Sequence, residues 1–249
     1  MVIPNNVASK ATPPKVIRKQ ANYIELEDIK NVLQYLQNEP LKWQVAMQLL
    51  IFTGCRRSEI IGLKWDKINL KDNIITIDLN VLYTKDKGVY TDTTKTEASN
   101  RTITIPKELC QLIKQYRKEY NETRMLYGEK WHDENFMFVQ ETGMAMHPDS
   151  LTSYCSRFRK KYNEFIAEQN QDLPKSEQLK LIPRINPHSF RHSQASLLFF
   201  NGNDPVTISK RLGHAKVSTT TDIYSHIMQK ADKKASDTLA DILIRKQIS

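Results

Sequence analysis

At 249 residues, with 39% hydrophobic residues and a net charge of +9 from 37 basic against 28 acidic side chains, the chain is long enough for one large domain or two small ones. No stretch approaches the roughly 18 to 20 apolar residues of a membrane span, and the polar, proline-bearing start "MVIPNNVASKATPPKVIRKQ" lacks the apolar run of a signal peptide. Three widely spaced cysteines, Cys55, Cys110 and Cys155, suggest neither a disulfide framework nor a zinc ribbon, so a reducing, cytoplasmic setting is expected. Residues 1–22 then read as an extended linker. In "YIELEDIKNVLQYL", Ile24, Ile29, Val32, Leu33 and Leu36 fall on a helical stripe, with acids in the first turn where the helix dipole favours them. A second helix, "KWQVAMQLLIFTG", ends at Gly54, and a third, "RRSEIIGLKW", follows at once.

The period then changes. "NIITIDLNVLY", "GVYTDTTKT" and "RTITIPKE" predict three short antiparallel strands, with "KDKG" and "EASN" as the turns. Helical sequence resumes near Lys107. Residues 139–149 predict a loop or short hairpin leading into the helix "SLTSYCSRFRKKYNEF", and "AEQNQDLPKSEQLK" predicts an inserted surface loop. The expected fold is mainly α with a small antiparallel β-sheet, an α+β unit over residues 23–249.

The basic surplus, with a pI of about 9.3, favours polyanionic partners, nucleic acid before anionic membrane, although many ordinary proteins are basic. "RFRKK" concentrates it at Arg157, Arg159, Lys160 and Lys161, a cluster suited to nucleic-acid phosphates.

"INPHSFRHSQASLL" places His188, Arg191 and His192 within five positions. The i, i+4 histidines share a helix face, but a zinc protease helix needs a glutamate after the first histidine, where Ser189 stands. Arg191 between them would repel a cation, so no metal is expected. A phosphate site asks instead for guanidinium forks and imidazoles fixed beforehand, a nucleophile, and an acid for the leaving oxygen. Candidates are scattered along the chain. Arg56 and Arg57 follow Gly54, with Glu59 three residues beyond Arg56, an arrangement that also describes a surface ion pair. Lys95 precedes a hairpin turn, where lysines commonly face solvent. His214 follows a Leu-Gly turn, and Tyr224 lies beyond a Ser/Thr run suited to capping a short helix.

Taken in order, "TGCRRSEIIGLKW", "TKTEASNRTITIP", "NPHSFRHSQASLL" and "RLGHAKVSTTTDIYSHI" resemble the boxes of the tyrosine recombinases, or phage-type integrases, over nearly all of residues 23–245. The resemblance implies that Arg56 and Arg191 grip the scissile phosphate, that His188 and His214 hydrogen-bond to it, and that His188 helps move the tyrosine proton. It implies Lys95 as the acid for the leaving 5′-oxygen and Tyr224 as the nucleophile forming a 3′-phosphotyrosyl enzyme. Glu59 supports the first arginine, and His192 packs or orients. No cofactor or metal is implied.

The same resemblance implies recombination of a mobile genetic element by a homotetramer on double-stranded DNA, monomeric without DNA, in the cytoplasm of a bacterial host at the nucleoid. Strand cleavage and resealing of the type IB topoisomerase kind, or DNA binding without catalysis, are the alternatives. Family members normally carry a helical core-binding domain ahead of the catalytic one. Since about 22 residues precede the first helix here, the expectation is a catalytic domain with an interdomain linker.

Overall fold

The computed structural model describes residues 23–93 and 100–214. Helix α1 (Leu26–Leu36) buries Ile29, Val32 and Leu36, the expected stripe, and also Asp28, which faces Lys180 at 3.5 Å. Helix α2 (Leu41–Thr53) is buried nearly all round, through Val45, Ala46, Met47, Leu49, Leu50 and Ile51. It ends, as its sequence predicts, at a left-handed Gly54 with φ of 62°. Helix α3 (Arg57–Ile61) is shorter than its sequence suggests. It stops at Gly62, where an added Cβ would lie 2.6 Å from the Leu79 carbonyl of a crossing strand, so the third helix yields to a tight backbone approach.

The expected single sheet is two. β1 (Ile68–Asn69), β2 (Ile74–Ile77) and β5 (Arg101–Thr104) form an antiparallel sheet in the order β1-β2-β5. β3 (Leu79–Thr84) and β4 (Gly88–Thr93) form a separate antiparallel ribbon. The run "NIITIDLNVLY" breaks at Asp78, which pairs with Lys67 at 2.6 Å, and its halves enter different sheets. Alternation along a run sets which side chains share a face; it carries no information about which strand sits alongside.

Helix α4 (Lys107–Tyr127) packs on α2, and Tyr116 donates its hydroxyl proton to the Met137 carbonyl at 2.8 Å. Trp65, Tyr116, Tyr120 and Trp131 form an edge-packed aromatic group within the main core. Residues 139–145 form the predicted short hairpin through the Val139–Ala145 bridge. Helix α5 (Asp149–Gln169) runs into the expected loop segment. The irregular chain after it is pinned by Asn163 of α5 and by Asn170, the residue that caps that helix. Asn163 exchanges two hydrogen bonds with Ile182, and Asn170 two with Leu179.

Helix α6 (Pro187–Phe200) lies against α2, and α7 (Pro205–Leu212) closes over it around Ala195, Ile208 and Leu212. No described helix is long and apolar enough to cross a membrane. The C-terminal ends of α2 and α7 and the start of α6 converge, and Arg191, Gln194 and Arg211 meet the end of α2 there.

Candidate active site

The start of α6 is set by its own sequence. The Asn186 side chain accepts from the backbone N–H groups of His188 and Ser189 at 2.9 Å, and the Asn186 N–H donates back to Ser189 Oγ at 2.9 Å. Pro187, whose missing N–H costs nothing in the first turn, completes the start. This cap leaves His188 exposed one residue inside the helix and turns Arg191 inward, at 3% exposure. The ring neighbour of His188 is His192, edge-on with centroids 4.4 Å apart and buried.

Arg191 enters the core because the end of α2 needs donors. The last carbonyls of a helix have no partner inside it and carry the negative end of its dipole. Gly54 O accepts from Arg191 Nη1 at 2.8 Å, and Phe52 O accepts from Gln194 Nε2 at 2.7 Å and Arg211 Nη2 at 2.9 Å. One apolar helix thus collects three polar side chains from α6 and α7. Arg191 Nη2 is buried and has no hydrogen-bond partner among the described residues.

Arg56 stands at the N-cap of α3. Its backbone N–H donates to Glu59 Oε2 at 2.7 Å and its Nη1 to Glu59 Oε1 at 2.8 Å, while Nη2 donates to the Gly213 carbonyl at 3.1 Å. Glu59 is 1% exposed. Burial alone would raise its carboxyl pKa, but hydrogen bonding and charge from Arg101, together with Arg56, outweigh it and hold the group ionised. Gly213, left-handed with φ of 68°, ends α7 and turns the chain into His214.

Arg56, His188 and Arg191 line one cavity of about 440 Å³ with Arg57, Ser58, Thr152, Arg184 and Asn186. Arg57 is tied to Asp149 and Thr152 of α5. Burial and the nearby charges of Arg191 and Arg56 lower the pKa of His188. Burial and the same arginines push His214 down to about 4, and burial with His188 and Arg191 brings His192 to about 4. Burial, then the charge of Arg56, lowers Arg191 to about 10. Every one of these shifts reflects an excess of positive charge with too little water. An anion in the cavity would relieve it.

The structure therefore brings together Arg56, Glu59, His188, Arg191, His192 and His214. Lys95 and Tyr224 lie outside the described residues. The α5 cations do not share one face. Arg159 stands two turns from Thr152 on the same side, whereas Lys161 pairs with Glu39 at 2.6 Å and Lys160 with Glu164 at 3.7 Å. Sequence reasoning missed Arg101, Gln194 and Arg211. Arg101 was nonetheless signalled by alternation, since it shares the β5 face of the buried Ile103. Gln194 and Arg211 had no such signal, because their partners are carbonyls of a distant helix.

Comparison with known proteins agrees with this architecture. The family described as "Phage integrase family" matches residues 22–231. The tyrosine recombinase XerC-like protein of Caldanaerobacter subterraneus subsp. tengcongensis is 27% identical over 94% of this chain and 57% of its own length. The ICEBs1 integrase of Bacillus subtilis is 27% identical over 91% of this chain and 56% of its own length. The chain thus spans little more than half the length of these relatives. Among solved structures, the Tn1549 transposon integrase in complex with transposon right end DNA superposes with a TM-score of 0.69 at 22% identity, covering 90% of this chain and 68% of that one, which shows a shared fold. With residues 22–231 matched and the fold shared, this chain belongs to the phage integrase family.

Proposed function

We propose that this chain is the catalytic domain of a site-specific DNA recombinase that cuts and rejoins DNA of a mobile element through a 3′-phosphotyrosyl intermediate. The observation that carries the reading is the cavity in which Arg56, Arg191 and His188 meet, with the buried Arg191 Nη2 left unpaired among the described residues. A buried donor without a partner is costly, and a phosphodiester oxygen is a fitting acceptor for it.

In this reading Arg56 and Arg191 contact the non-bridging oxygens, whose charge grows in the transition state. His214, uncharged at neutral pH, donates one N–H to the same phosphate. His188 is uncharged for the same reason and accepts the Tyr224 proton. The Tyr224 oxygen forms its bond to phosphorus as the bond to the 5′-oxygen breaks, and Lys95 protonates that oxygen. Rejoining reverses these steps, so the ester conserves the bond energy. A free phenol, with an ordinary pKa of about 10, needs this cationic surrounding to act near neutrality. Arg159 lies on the α5 face nearest the cavity and contacts flanking phosphates, with Arg157, Lys160 and Lys161 further out. Relatives named as integrases, together with an integrase and a recombinase solved with DNA, support the DNA substrate. A tetramer on DNA is part of the proposal.

The test is covalent trapping without divalent metal. A DNA substrate nicked beside the attachment site is incubated with the chain and with Tyr224→Phe. A denaturation-resistant adduct on the 3′ side, lost in Tyr224→Phe, is the expected result. DNA binding with no adduct, at any protein concentration, overturns the reading in favour of a binding protein. An adduct that reseals the same duplex and never exchanges strands points to topoisomerase-type chemistry.

A further inference from the structure

Arg101 is 7% exposed in its side chain and is spent entirely on partners beside the cavity. Nη1 donates to Glu59 Oε1 at 3.1 Å and Nη2 to Glu59 Oε2 at 2.9 Å, a bidentate fork on the carboxylate that also holds Arg56. Nη2 further reaches Cys55 Sγ at 3.3 Å, and Nε donates to the Arg211 carbonyl at 2.8 Å. One guanidinium therefore joins the turn after α2, the N3 carboxylate of α3, and the last turn of α7, from which His214 follows. Gly213 is shaped to it: a Cβ there would sit 2.6 Å from Arg101 Nη1, and the Gly213 carbonyl accepts from Arg56 at 3.1 Å. Arg56, Glu59, Arg101 and Gly213 thus close a ring of contacts.

We infer that Arg101 is a positioning residue: it fixes the Glu59 carboxylate and the Gly213 turn, and through them sets Arg56 and His214 for the phosphate. The inference rests on the phosphoryl-transfer reading above. Without the fork, one Arg56 hydrogen bond pair would leave the buried carboxylate free to rotate. With it, both oxygens are held in one plane, and Arg56 inherits that plane. A lysine cannot reproduce this, because an ammonium is a single point of charge and cannot span both oxygens, a thiol and a carbonyl together. Cys55, with its thiol pushed up to about 11 chiefly by burial, stays protonated and is a neutral neighbour to the fork.

The experiment measures single-turnover adduct formation at saturating nicked DNA, alongside DNA affinity, for the wild-type chain, Arg101→Lys, Arg56→Lys and the double variant. Arg101→Lys is expected to slow adduct formation about 10- to 100-fold, the scale of a small misplacement of a catalytic group, with affinity changed less than about twofold. The two losses are expected to be strongly non-additive, the double variant being little slower than Arg56→Lys alone, as for residues acting through one contact chain. Losses that multiply overturn the inference, as does an unchanged Arg101→Lys rate in a chain whose wild type forms the adduct. A wild type without a Tyr224-dependent adduct overturns the recombinase reading and this inference with it. Should Arg101→Lys not fold, Glu59→Gln, which keeps the side-chain shape, is expected to show the same slowing and the same non-additivity with Arg56→Lys; multiplicative losses there count equally against the idea.

Discussion

Helices α2 and α6 pack against each other, span 13 and 14 residues, and are both largely buried, yet α2 buries mostly apolar side chains and α6 mostly polar ones. α2 buries Val45, Leu49 and Leu50, each removed from water without a polar atom to satisfy. Such residues contribute roughly 1.5 to 3 kcal/mol apiece. α6 buries Ser189, Arg191, His192, Ser193, Gln194 and Ser196. These must recover in hydrogen bonds what they lose in hydration, and they do so both within the helix and across to α2. Ser193 donates to the Ser189 carbonyl at 2.9 Å and Ser196 to the His192 carbonyl at 2.8 Å, while Arg191 and Gln194 reach the end of α2. What remains unrecovered is Gln194 Oε1, which lies beside Gly54, and Nη2 of Arg191, a residue that lines the cavity where chemistry is proposed. One helix supplies stability that the other draws on to hold a site ready for an anion.

The comparison breaks if α6 proves to be the stabilising partner. Arg191→Met is expected to lower adduct formation about 100- to 1000-fold, the scale of losing a preorganised donor, while the melting temperature stays level or rises, because a half-satisfied buried guanidinium gives way to an apolar chain of similar reach. A melting temperature that collapses would show that Arg191 holds the fold. Leu50→Ala on α2 should behave in reverse. It is expected to cost about 2 to 5 kcal/mol of stability, read by denaturant unfolding, with the adduct rate of the remaining folded protein within about threefold of wild type if α2 acts only as scaffold.

The smallest expected effect is on pH dependence. His192 and His214 sit at about 4 in the folded chain against an ordinary value of 6.5, and His188 is shifted the same way. Below 6.5 the unfolded chain takes up protons that the folded chain refuses, so stability present above that pH is lost as pH falls toward 4. Thermal melts from pH 7 to pH 4.5 are expected to show a decline on the order of 5 °C, shallower in His192→Asn. Inorganic phosphate, by raising these histidines, should offset more of the decline than chloride at equal ionic strength. A flat profile would mean that the imidazoles are better solvated than their burial implies.

Much of this was legible without coordinates, and for identifiable reasons. The stripe on α1, the Gly54 stop and the shift to β alternation near residue 73 are local rules, in which a residue and its near neighbours carry the whole cause. Glu59 was legible as the partner of Arg56 because three residues on a helix bring the two within reach. The split of "NIITIDLNVLY" between two sheets was not legible, since strand partners are chosen by the folded context. Nor was Arg101's place in the site, 42 residues from Glu59 along the chain, although its face on β5 was. The order of the boxes by itself determined the family and set which side chains are expected at the site. Only tertiary structure decided that the buried C-terminal end of an apolar helix would recruit Arg191, Gln194 and Arg211, because unpaired carbonyls take whichever donors the fold brings within about 3 Å.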